Sequence, residues 1–243
     1  MKMRSFIALT FILLYAIGTR AQNEKSKMNS YADATFAIGS YQGSISLLYI
    51  HNWRLGANRK LGIGLGGRIT SYLGANQYYI TAPAKLTSES TSPLIFFKEN
   101  STKNIDSLLV KSPQVNSINA SINIDYRIST KVTIGFNIDA IGFSFGSKQK
   151  GNYINGYQGK NTEGSPTSFN VLLISDNDRG SLNSELYAKY FINDTWALKA
   201  GAQFLFTEYT TATEVQELPS ANDRFRNKSL LFAIGVSYQL KNN

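Results

Sequence analysis

The chain predicts an all-β fold: an eight-stranded antiparallel up-and-down transmembrane β-barrel. Three observations predict it. Eight stretches alternate large apolar residues with small or polar ones, the period-two signature of a strand with two unlike faces. Short turns alternate with long connections along the whole chain. Glycines lie in rows on the non-apolar face, where a crowded interior needs space and a solvent surface does not.

Residues 1–21 read as a cleaved signal peptide. Lys2 and Arg4 charge its start, residues 6–17 are apolar, and Gly18-Thr19-Arg20-Ala21 offers small residues for cleavage after Ala21. The apolar run is well short of the roughly 20 residues a spanning helix needs. A short polar lead, 22–30, follows, and 31–243 is assigned to the barrel. The absence of cysteine excludes a lipid anchor on Cys, a disulfide framework and thiolate chemistry. Loss of Lys2, Arg4 and Arg20 lowers the net charge from +9 to +6. In an exported chain such an excess suits anionic lipid head groups better than nucleic acid.

The first strand alternates from Asp33, with Asp33, Thr35, Ala37 and Gly39 opposite Ala34, Phe36 and Ile38. A tight turn at Tyr41-Gln42-Gly43 leads to the second, where Ile45, Leu47, Tyr49, His51 and Trp53 oppose Ser44, Ser46, Leu48, Ile50, Asn52 and Arg54. After a turn at 56–59, Leu61, Ile63, Leu65 and Ile69 oppose Gly62, Gly64, Gly66 and Arg68. That glycine row has two readings, room for large lumen side chains or relief of twist at a curved wall. Residues 75–114 read as a long irregular connection with Pro83, Pro93 and Pro113. The fourth strand is the cleanest: Ile118, Ala120, Ile122, Ile124 and Tyr126 oppose Ser117, Asn119, Ser121, Asn123, Asp125 and Arg127. In the fifth, Val132, Ile134, Phe136 and Ile138 oppose Thr133, Gly135, Asn137 and Asp139. The phase then slips near Ala140-Ile141, which predicts a β-bulge.

A second long connection spans 147–180. In the sixth strand Leu186, Ala188, Tyr190 and Ile192 oppose Glu185, Tyr187 and Lys189. In the seventh, Trp196, Leu198, Ala200, Phe204 and Phe206 oppose Lys199, Gly201, Gln203 and Thr207. A third connection, 209–227, precedes the closing strand, where Leu230, Phe232, Ile234, Val236 and Tyr238 oppose Gly235, Ser237 and Gln239. The short turns at 56–59, 129–131 and 193–195 share one side and the three longest connections share the other. Outer-membrane barrels have this asymmetry, with short periplasmic turns and long extracellular loops.

Alternation alone fits a soluble barrel with an apolar core equally well. The glycine-lined wet face, the loop asymmetry and aromatic residues at strand ends favour the membrane barrel. Those residues are Trp53 and Trp196 at one end and Tyr72, Phe143, Phe145 and Phe206 at the other. From 31 to 240 the chain resembles the small outer-membrane barrels of the OmpA/OmpX type, and most of all those common in Bacteroidota. The resemblance lies in architecture and strand texture. It departs at the end, where such barrels often stop on an aromatic residue and this chain runs on to Lys241-Asn242-Asn243.

The wet face collects Asp33, Arg54, Arg68, Asp125, Arg127, Asp139, Glu185, Lys189 and Lys199. An eight-stranded barrel is just wide enough to be filled by side chains. Buried charges must pair or stay solvated. The nine residues therefore read as a lumen charge network, either a structural plug or a narrow ion path. Tyr78, Tyr79, Leu94, Ile95, Phe96 and Phe97 form an apolar loop cluster that either packs over the mouth or contacts a partner. His51, the sole histidine, falls on the lipid side beside Trp53, a poor place for a catalytic base. No nucleophile elbow or zinc motif accompanies it. Asp176-Asn177-Asp178 lacks the glycine and the distant Glu of a calcium loop. The expectation is a non-enzymatic integral outer-membrane barrel with no cofactor and no metal, with a structural or surface-interaction role. The alternative is transport or binding of a small apolar ligand through the mouth. Expected partners are outer-membrane lipid and lipopolysaccharide and the outer-membrane assembly machinery, with no nucleic acid; a specific protein partner is not indicated.

Overall fold

The structure is a computed structural model that describes residues 28–82, 84–88, 102–154, 161–173, 177–214 and 220–240. The expected signal peptide, most of the polar lead, Leu94, Ile95, Phe96, Phe97 and Asp176 lie outside them. The described residues form thirteen strands in one antiparallel sheet, not eight. In chain order they are β1 Met28–Gly39, β2 Gln42–Leu55, β3 Leu61–Gly74, β4 Gln77–Thr81, β5 Ser107–Val110, β6 Gln114–Arg127 and β7 Val132–Phe145. Then come β8 Gln149–Tyr153, β9 Asn161–Pro166, β10 Phe169–Val171, β11 Leu182–Phe191, β12 Trp196–Thr211 and β13 Arg224–Leu240.

Two closed circuits of pairing run through this sheet. The first joins the long strands in the order β1, β2, β3, β6, β7, β11, β12, β13 and back to β1. Partners can be followed around it from Asn29 to Asn52, Gly64, Asn123, Asn137, Glu185, Gln203 and Leu231. The walk returns to β1 at Gly39, next to the Ile38–Phe232 pair and ten residues beyond its start. With strands about 4.8 Å apart and a rise of about 3.3 Å per residue, that offset tilts the strands by about 40°.

The second circuit has no counterpart in the sequence pattern. The ends of β12 and β13 extend past the barrel and pair outward with β9 and β4, which continue through β8 and β5. Six strands close into a small cap. Its interior holds Tyr79, Leu108, Val110, Tyr153, Tyr209 and Phe225, all buried. Tyr79 meets Tyr209 edge-on at 5.2 Å, and Tyr153 meets Phe225 at 5.7 Å. Segments 75–114, 147–180 and 209–227, expected to be long connections between strands, thus carry β4, β5, β8, β9, β10 and the outer ends of β12 and β13. The short cap strands among them are four to six residues long, too short to display a period, and beyond the β8–β9 hairpin they pair far away in sequence.

The faces alternate as the sequence predicts. Leu230, Phe232, Ile234, Val236 and Tyr238 are exposed on the outer wall, while Leu231, Ala233 and Ser237 are buried within. The bulge also falls where the phase slips: Ala120 faces Ile141 and Ser121 faces Asp139, so Ala140 is the extra residue. Both readings of the glycine row hold, at different positions. A Cβ on Gly62 would meet Arg54 and Asp125, and one on Gly64 would meet Asn52 and Ile50. These two glycines make room for lumen side chains. A Cβ on Gly66 would instead meet the backbone of Tyr49, which marks close approach of the wall to itself. Two placements need correction. Tyr72, expected at the outer aromatic rim, points inward and donates a hydrogen bond to Gln42 at 2.8 Å. Its even number puts it in phase with Arg68 and Thr70. The first tight turn is at Ser40-Tyr41, with Tyr41 at φ 56°, so Gln42 already pairs in β2.

Candidate functional site: the charged lumen and its lid

Period-two alternation carries alternate residues of eight strands into one narrow space, so charges far apart in sequence become neighbours. Asp33 from β1 lies 2.9 Å from Lys189 of β11 and 3.0 Å from Lys199 of β12. Lys199 also reaches Glu185 at 2.7 Å and Thr35 at 3.3 Å. This four-charge chain is neutral as a set. Beside it, the Lys189 ammonium sits 3.3 Å above the centre of the Tyr31 ring. Tyr31 and Tyr187 join hydroxyls at 3.2 Å, and Tyr187 donates to Asn123 at 2.8 Å.

Toward the short-turn end, Arg54 pairs with Asp125. Asn52 donates to the same carboxylate at 2.6 Å and Arg54 Nε donates to Asn29 at 2.8 Å. On the cap side, Arg68 lies 3.4 Å from Asp139, which also accepts hydrogen bonds from Asn119 at 2.8 Å and Ser121 at 2.7 Å. Eight of the nine anticipated charges therefore join three ion-paired groups inside the barrel. The ninth does not. Arg127 is half-buried at the open end, where it borders a recess of about 550 Å³ with Lys131, Asp194 and Gln239. Its parity points inward, but the wall ends there.

The apolar loop cluster divides. Tyr79 is buried in the cap and bonded to Thr207 at 3.0 Å, whereas Tyr78 is exposed on the other face of β4. The space beneath the cap is occupied by Tyr72, Tyr79, Leu205, Tyr209, Phe225 and Leu231. Burial pushes the Tyr209 hydroxyl up to about 12 and Tyr79 well above the ordinary tyrosine range. Both are neutral hydrogen-bonding groups under physiological conditions. His51 packs against Trp53 at 5.1 Å, and its Nδ1 lies 2.8 Å from Ser30 Oγ. Its Nε2 lies 3.2 Å from Met28 Sδ, so no carboxylate orients this Ser–His pair.

One charged group was missed altogether. Glu208 is fully buried and pairs with Arg226 and Arg224, each at 2.8 Å. Arg226 and Arg224 also donate to the backbone carbonyl of Asp178. These side chains have the outward parity of β12 and β13, but residues 177–181 cover them. The alternation Arg224-Phe225-Arg226-Asn227-Lys228 was the available strand signal. Among the described residues no cluster of His, Asp and Glu could hold a metal ion.

No family model and no curated protein matches the chain. Among solved structures it is similar to Neisserial surface protein A, at 11% identity and a TM-score of 0.37, over 89% of this chain and 100% of that one. It is also similar to Ail, the attachment invasion locus protein of Yersinia pestis, at 9% identity and a TM-score of 0.38, over 89% and 100%. A major outer membrane protein from Thermus thermophilus gives 9% identity and a TM-score of 0.38, over 87% and 99%. Likenesses this distant leave the reading of the chain to its own geometry: a closed antiparallel barrel, apolar outside, charged inside and lidded at one end.

Proposed function

We propose that the protein is an integral outer-membrane β-barrel in which the eight-strand circuit crosses the membrane. The inverted polarity of the wall carries this reading. The exterior of the long strands is predominantly apolar, and the interior holds Arg68, Asp125, Asp139, Asp33, Lys189 and Lys199 in near-complete burial. Water would reject that exterior, and hydrocarbon would reject exposed backbone, which a closed barrel does not have. Tilted by about 40°, the run from Lys228 to Tyr238 rises about 25 Å, the height of the apolar band of such barrels. Trp196 on Tyr238 (4.9 Å) and Trp53 on His51 mark one interface, at the short-turn, periplasmic end. The cap then lies outside the cell.

The role proposed is structural or surface-contacting, without catalysis. Paired lumen charges act as a plug, and the cap presents a rigid outer face. Passage of an apolar ligand through the mouth finds little support, because aromatic side chains occupy the space below the cap. Membrane fractionation and heat-modifiable gel migration test the location, with the folded barrel expected in the outer-membrane fraction. Planar-bilayer recording tests the plug, with no steady conductance expected. A soluble protein would overturn the first part and a stable open pore the second.

A further inference from the structure

β11 begins at Leu182, opposite Phe206, but its neighbours β12 and β7 run on past that level. Above β11 the wall is completed differently. β10 pairs with β7 at Phe169–Phe143, and β9 pairs with β12 at Pro166–Tyr209. Between them the chain crosses from one strand to the other: Thr167 N–H donates to the Glu208 carbonyl at 2.9 Å, and Ser144 N–H donates to the Ser168 carbonyl at 2.8 Å. On the outer face of this crossing lies a groove of about 410 Å³, lined among others by Lys148, Arg179, Ser165, Ser168, Thr210 and Glu163.

Two features mark the groove as a site. Lys148 and Arg179 are exposed, and neither makes an ion pair among the described residues. The groove also adjoins apolar wall. Phe143, Phe145, Phe169 and Leu173 are exposed beside it, with Phe143 and Phe169 edge-to-face at 5.9 Å. A molecule that satisfies both must carry negative charge on a polar head and hydrocarbon directly below it. The Arg179 guanidinium suits a phosphate bidentately, and Lys148 adds a point charge. Glu163 shares the groove. A carboxylate there repels a bare phosphate but accepts a hydrogen bond from a sugar hydroxyl.

We propose that this groove binds the phosphate-bearing head of an outer-leaflet glycolipid, with Lys148 and Arg179 on the phosphate and Glu163 on a sugar hydroxyl. The proposal rests on the membrane reading above and names a ligand for its outer rim.

The test is native mass spectrometry of the full barrel in phosphatidylcholine nanodiscs, titrated with bisphosphorylated lipid A, dephosphorylated lipid A or inorganic phosphate. The phosphorylated lipid should be retained about thirtyfold more than the dephosphorylated one, given two basic groups at the surface. The double variant Lys148→Ala/Arg179→Ala should lose that preference, while Lys228→Ala, outside the groove, should keep it. A preference that survives the double variant would overturn the site. So would an equal loss in Lys228→Ala, which would mean diffuse attraction, or phosphate alone competing as well as lipid A, which would mean a free-anion site. A barrel that enters nanodiscs and shows no preference defeats this site only. One that does not enter them defeats the membrane reading and the site with it.

Discussion

Asp33 is the acid on which two buried lysines depend. Lys189 lies 2.9 Å from one of its oxygens and has no other carboxylate partner among its ion pairs. Lys199 lies 3.0 Å from the other oxygen and retains Glu185 at 2.7 Å. Asp33→Asn keeps the shape and removes one negative charge, leaving the Lys189 ammonium buried without a counter-charge. Breaking a buried pair from one side costs about 3–5 kcal/mol. The Tyr31 ring beneath Lys189 is present in both proteins and leaves that difference unchanged. The expected loss is at least about 3 kcal/mol, which lowers a urea midpoint by about 1–2 M. Trp53 and Trp196 supply the fluorescence signal for unfolding from vesicles, being the sole tryptophans and both at the short-turn end. Asp33→Asn/Lys189→Met restores neutrality and should recover most of the loss. A single variant that unfolds at the wild-type midpoint, or a double variant no better than the single, would refute the charge-network account.

Three further outcomes follow from the same geometry. Ile234→Arg, on the exposed wall, should cost about 2–4 kcal/mol and reduce the heat-modifiable folded band, while the buried Ser237→Ala should fold normally; equal tolerance would reverse the inside–outside assignment. Phe225→Ala should cost the cap about 3–5 kcal/mol, so protease cuts within 77–110 or 149–166 should appear while the barrel stays resistant; an uncut cap would show that its core contributes little. Burial raises the Tyr209 pKa from about 10 to about 12, so its contribution is complete below pH 10 and is lost as pH rises through 12. Near-UV circular dichroism of the cap tyrosines should therefore fade over that window, and a loss centred near neutral pH would contradict the assignment.

Much of the barrel was legible because a strand repeats every two residues. Asp125 and Arg54 have fixed faces whatever their partners, so their arrival in one lumen follows from local pattern. The slip at Ala140 was legible for the same reason, as a break in that pattern. Tyr72 shows that parity outranks residue type: an aromatic side chain near a strand end suggests a rim, but its even number places it inside. Arg127 shows the converse, since parity is right but says nothing about where the wall ends.

The sequence by itself determined which residues of the eight long strands face outward and which face one another, because that depends only on neighbours two positions away. Tertiary structure alone decided who pairs with whom. Lys189 finds Asp33 across 156 positions, and Tyr79, Tyr153, Tyr209 and Phe225 build one core from separate segments. Glu208 is buried by residues 177–181 despite its outward parity. Strands of four to six residues carry too few alternations to announce themselves, and the cap they help form exists only through contacts the local pattern cannot encode.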